Sequence, residues 1–125
     1  MPLAYAIDVE QQLVTITGEY ADAREWHELL ARILTDPRRK AGMGFLRDLR
    51  GATKPVDAET VVGIIAVVRR FWPELQPRRA AVLTPLQIDT AALVAHAVAD
   101  AEHIPLRTFT SYDEAMAWLR NEGDA

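Results

Sequence analysis

Between Met43 and Trp72 the chain passes from an apolar strand pattern, MGFLRDL, through a polar loop, RGATKPVD, into a long apolar helical pattern, AETVVGIIAVVRRFW. Strand, loop and helix in that order form a crossover unit. Such a crossover is what a parallel strand pair requires, so this segment commits the chain to an α/β sheet. In such sheets ligands and partners dock where strand carboxyl ends meet helix amino ends, which directs attention to Asp48–Glu59. The residues there do not form a reaction signature.

The flanking segments extend the unit. Leu3–Val9 and Leu13–Gly18 are short runs with alternating apolar positions joined by Glu10, Gln11 and Gln12, which predicts a hairpin. Trp26, Leu29, Leu30, Ile33 and Leu34 recur at helical spacing, opened by Asp22 with Glu25 three residues on and stopped at Asp36-Pro37. Gly42–Leu49 reads as a strand. Pro55–Trp72 reads as a helix with Asp57 as its cap and Pro73 as its stop. The β-branched run VVGIIAVV could pass for a buried strand, but Val61, Ile64, Ile65 and Val68 keep the helical period. Arg79–Thr84 is a strand, Leu86–His103 an alanine-rich helix, and Leu106–Thr110 the last strand. A final helix opens on a Ser111/Glu114 capping box and places Ala115, Trp118 and Leu119 on one face.

The order is therefore ββαβαβαβα. The fold class expected is α/β, a single five-stranded mixed sheet, mostly parallel, with an antiparallel edge strand and four helices. A chain of 125 residues suits one domain, 1–125. The run Val61–Val68 falls far short of the ~20 apolar residues that cross a bilayer, so no membrane span is expected. The segment MPLAYAIDVEQQ lacks a basic stretch followed by an apolar core and cleavage site, so the expected location is cytoplasmic. The absence of cysteine excludes disulfides and thiolate chemistry. A net charge of -4 is the wrong balance for gripping phosphate backbone, despite the short basic run Arg38, Arg39, Lys40, and no nucleic-acid partner is expected.

Candidate chemistry is thin. Ser111 is the only serine and lacks the flanking glycines of a nucleophile elbow, so a helix cap is its expected role. His27, His96 and His103 show no i, i+4 pair for a metal, and neither a metal nor another cofactor is expected. Gly42 and Gly44 precede a strand, whereas a phosphate-cradling loop follows one. Asp48, between Arg47 and Arg50, is the best carboxylate for acid/base work, yet the arginines would hold it as a plain anion suited to an ion pair. The second helix is apolar nearly all round. With Val61, Ile64, Ile65 and Val68 on the sheet, Val62, Ala66 and Val67 still need cover, and Phe71 and Trp72 extend that surface. A neighbouring helix, a second subunit or a ligand could supply it. The alanines at 91, 92, 95, 97, 99 and 101 allow close helix packing or a pocket.

The opening AIDVEQQLVTITGEYADAREWHELL, the strand end LRDLRG and the close LRTFTSYDEAMAWL together resemble the STAS (SpoIIAA-like) domains, particularly the bacterial branch likened to CRAL-TRIO lipid-transfer domains. The resemblance covers nearly the whole chain and rests on apolar spacing with Gly18, Asp48, Arg50, Ala115, Trp118 and Leu119. It implies a regulatory domain whose second helix begins at a serine phosphorylated by a partner kinase. Asp57, Ala58, Glu59 and Thr60 occupy the matching stretch here. Glu59 stands at the phosphoacceptor position, with Thr60 the nearby hydroxyl, so the usual phospho-switch is not expected. The resemblance and the apolar helix lead to one expectation: a non-enzymatic interaction module, homodimeric or bound to a protein partner. The alternative is a carrier of a small apolar, lipid-like ligand. The residues involved would be Asp48, Arg50, Asp57, Glu59, Val62, Ala66, Val67, Phe71 and Trp72, with Arg50 or Thr84 at the mouth of a ligand pocket.

Overall fold

The computed structural model describes residues 3–18, 22–51, 58–75, 78–84 and 105–120. Five strands, β1 (Ala4–Asp8), β2 (Leu13–Thr17), β3 (Gly44–Asp48), β4 (Ala80–Leu83) and β5 (Leu106–Phe109), form one sheet in the order β1-β2-β3-β4-β5. β1 pairs antiparallel with β2 and every other pairing is parallel. Three helices are described: α1 (Ala23–Thr35), α2 (Ala58–Leu75) and α3 (Tyr112–Arg120). The helix expected over Leu86–His103, and the Pro55–Asp57 start expected for the second helix, lie outside the described residues.

The hairpin turn is built by its own polar groups. Asp8 accepts from the Gln11 backbone N–H at 3.1 Å and from the Gln11 side-chain amide at 2.8 Å, and Gln12 turns the chain with φ +55°. The Gln12 carbonyl then accepts the Gly44 N–H at 2.9 Å, which fixes where β3 joins β2. Before β3, Gly42 has φ +87°. Nothing lies within 4 Å of where its Cβ would be, so backbone conformation and not space calls for glycine there.

The two faces of the sheet follow from strand alternation. Val14 and Ile16 of β2, Phe45 of β3 and Ala80 of β4 pack with Trp26, Leu29, Leu30 and Ile33 of α1 and with Ile64 and Leu75 of α2. On the other face Leu13, Leu46, Ala81 and Leu83 pack with Ala115, Met116 and Leu119 of α3. β4 is buried along its whole length, as expected of a parallel strand covered on both faces. Successive parallel crossovers of one hand between adjacent strands put their helices on one face, and α1 and α2 share that face.

Asp22 caps α1, accepting the Glu25 N–H at 2.9 Å, as the spacing predicts. Removing that acceptor orphans a first-turn donor. Asp22→Ala is expected to cost ~1 kcal/mol in chemical denaturation, with the fold unchanged.

Val61–Val68 is helical, resolving the ambiguity of its β-branched composition. The helix does not stop before Pro73, however; it continues to Leu75. A proline in the last turn forfeits one backbone bond with little helix left to disrupt. Two contacts favour the continuation. Leu75 is buried in the core, and its carbonyl accepts from an Arg39 Nη at 3.1 Å.

Candidate functional site

The carboxyl ends of β2 and β3 lie side by side, and an open depression of about 380 Å³ sits there, lined by Thr17, Gly18, Asp48, Arg50 and Gly51. Gly18 turns away from β2 with φ +103°, a conformation that side-chain-bearing residues rarely adopt. Asp48 closes β3, and the chain doubles back so that Arg50 forks onto it. The Arg50 N–H and Nε donate to Asp48 Oδ1 at 3.0 and 3.1 Å, and Nη2 donates to Oδ2 at 2.8 Å. The Arg50 guanidinium also lies over the Tyr112 ring of α3 at 4.9 Å from its centroid.

Arg47 does not share this role. Neighbouring residues of a strand point to opposite faces, and Arg47 reaches across β2. There it donates to the carbonyls of Ile16 at 3.3 Å and Gly18 at 3.0 Å, and lies over the Trp26 ring at 5.3 Å. One arginine thus fixes the Asp48 carboxylate and the other ties β3 to the end of β2. The Asp48 side chain keeps 16% exposure and that of Arg50 52%. The fork onto Arg50 holds the Asp48 carboxyl below its ordinary range. Both its oxygens accept from Arg50, which suits it to shaping a loop rather than accepting a proton near neutrality.

The same Asp-x-Arg device occurs after α1. Asp36 accepts from the Arg38 backbone N–H, Nε and Nη2 at 2.9, 3.1 and 2.8 Å, and from the Tyr5 hydroxyl at 2.9 Å. Hydrogen bonds from Arg38 hold Asp36 well below the usual carboxylate range, and the bond to Asp36 raises the Tyr5 hydroxyl above its ordinary value. These shifts fix the sign of the pH dependence. Groups with depressed folded values stabilise above their unfolded pKa of ~3.9, and that contribution is lost as pH falls through the folded values. Tyr5, raised, stabilises below its unfolded pKa of ~10 and loses that contribution as pH rises through the folded value. The contribution of these three groups to the urea midpoint is therefore expected to be flat between these limits and to fall below pH ~4 and above pH ~10. Asp48→Asn should flatten part of the acid limb.

The remaining expected site residues separate. Asp57 lies outside the described residues. Glu59 is exposed in the first turn of α2. Val62 is 60% exposed, and Ala66, one turn on, is exposed as well. Val67, Phe71 and Trp72 are instead half-buried against the α1 side of the core, with the His27 ring edge-on to Phe71 at 5.1 Å between centroids. The expected apolar surface is thus divided: α1 covers one part, and Val62 with Ala66 stays open. Thr84 is buried just beyond β4, its N–H donating to the Phe109 carbonyl at 2.9 Å, and it is not among the lining of the depression.

Ser111 accepts the Glu114 N–H at 3.3 Å, the predicted cap. Arg38 and Arg39 of the basic run bond Asp36 and the end of α2. Thr17, Gly51 and Tyr112 line or flank the depression without a sequence signal to mark them. Among the described residues no three His, Cys, Asp or Glu side chains come together to hold a metal ion, and no helix is long and apolar enough to cross a membrane. The chain matches no protein-family model, no curated protein and no solved structure.

Proposed function

We propose that the protein is an interaction domain of the STAS-like, regulatory type, which engages a protein through the outer face of α2. The observation that carries this reading is the open stripe on that helix, where Val62 keeps 60% exposure with Ala66 exposed one turn away. The polar groups at the strand-end depression support it from the other side, since Asp48 and Arg50 bond each other and leave no carboxylate tuned near neutrality. Glu59, at the position where the resemblance puts a phosphoacceptor, supplies a permanent negative charge at a helix amino end, stabilising it by ~0.3–1 kcal/mol. The contact is then constitutive and not kinase-gated.

A carrier of an apolar ligand would need an enclosed chamber, and the depression at β2 and β3 is open and rimmed by an ion pair. Native mass spectrometry of the purified chain separates the two readings. The interaction domain gives masses at the 14.0 kDa chain or its multiples with no small molecule retained. One apolar molecule bound per chain would overturn the proposal in favour of the carrier.

A further inference from the structure

The exposed stripe of α2 has an order of charge that selects a partner. Glu59, Val62, Ala66 and Arg69 follow one another at helical spacings of three and four, Arg70 adjoins Arg69, and all five are exposed. From Glu59 to Arg70 the stripe is therefore acidic, then apolar, then basic, over about 17 Å at 1.5 Å per residue, with Pro73 and Glu74 exposed beyond it. A surface with that order is complementary to its own reverse. We infer that α2 pairs antiparallel with α2 of a second copy of this chain, about a two-fold axis at the level of Ile64.

That axis is fixed by two independent pairs. Val62 and Ala66 are equidistant from residue 64, and so are Glu59 and Arg69. One operation therefore sets Val62 against the second copy's Ala66 and Glu59 against the second copy's Arg69, with Arg70 adjoining. Symmetry supplies each contact twice. The small side chain at Ala66 lets the helices approach, so Val62 is covered without a clash. The inference rests on the proposed interaction surface and names its occupant.

The contact is small. A single helix stripe covers less than the ~800 Å² per partner of a standard interface, so the dimer is expected to be weak and concentration-dependent. Its charged pairs are at the rim and screened by salt, so the dimer weakens as ionic strength is raised from about 0.1 M to about 1 M, over which the Debye length falls from ~10 to ~3 Å.

The test is sedimentation equilibrium of the full chain, of Glu59→Arg, of Arg69→Glu/Arg70→Glu, and of an equimolar mixture of the two variants. Circular dichroism confirms that each is folded. Reversal makes one stripe wholly basic and the other wholly acidic. Each variant alone is expected to self-associate about tenfold more weakly than wild type, and the mixture to recover association to within about threefold. A contact through an unrelated face cannot produce that recovery. A monomer at all concentrations overturns the inference, as does a mixture that fails to associate. A dimer indifferent to both reversals overturns this pairing but leaves an interaction domain, whereas a small molecule held by every chain in the native mass spectrum would remove the interaction reading itself.

Discussion

Trp26→Ala is expected to remove ~3–5 kcal/mol of stability, a large share of the 5–15 kcal/mol typical of domains. Trp26 lies in the first turns of α1 and is buried against the sheet, in one cluster with Val14, Ile16, Phe45 and Ile64. Its loss opens a cavity between helix and sheet and removes the ring that the Arg47 guanidinium covers at 5.3 Å. The surrounding strands cannot close that gap without breaking the parallel ladder. Trp26→Phe provides the control. It keeps most of the ring volume and removes an indole N–H that is buried without a hydrogen-bond partner. An unsatisfied buried donor costs ~1–3 kcal/mol, so its removal offsets part of the lost volume. Urea denaturation of both variants should therefore show a loss for Phe smaller by at least ~2 kcal/mol. Equal losses would mean that the indole is not packed as described.

The second large effect is Val67→Glu, expected to cost ~2 kcal/mol or more, because a carboxylate cannot be desolvated without a partner. Val67 is half-buried and packs on the core that α1 shares with α2. Val62→Glu, five residues earlier on the same helix, is expected to shift stability by less than ~0.5 kcal/mol, as at an ordinary exposed site. Thermal melts of the two single variants read the contrast directly. At concentrations where the wild-type chain is monomeric, a destabilising Val62→Glu would show that this side chain, too, is covered within one chain.

That contrast marks where the sequence stops being legible. The period of Trp26, Leu29, Leu30 and Ile33 is clean because α1 contacts the sheet through one narrow stripe, and the structure buries those four. The antiparallel edge position of β1 follows from a connection too short for a crossover, and the sheet has it there. α2 is different. Its apolar residues run round the helix, so periodicity alone cannot tell which flank α1 covers; Val62 and Val67 read alike and differ in the fold. The end of α2 was unreadable for a related reason. Pro73 is a local stop signal, while the groups that carry the helix past it are Leu75 in the core and Arg39, thirty-six residues earlier in the chain. At the depression, LRDLRG shows a carboxylate between two arginines. Only the alternation of β3 decides that Arg50 binds Asp48 while Arg47 serves the opposite face. The stacking of Arg50 on Tyr112 joins segments that are remote in sequence, and no spacing rule reveals it.

The central claim is that the outer face of α2, and not the strand-end depression, makes the protein's contacts. Sedimentation velocity of Val62→Glu beside Arg50→Ala tests it most directly, at concentrations where the wild-type chain self-associates. The account predicts that Val62→Glu sediments as a folded monomer while Arg50→Ala retains wild-type association. Association kept by Val62→Glu and lost by Arg50→Ala would contradict it.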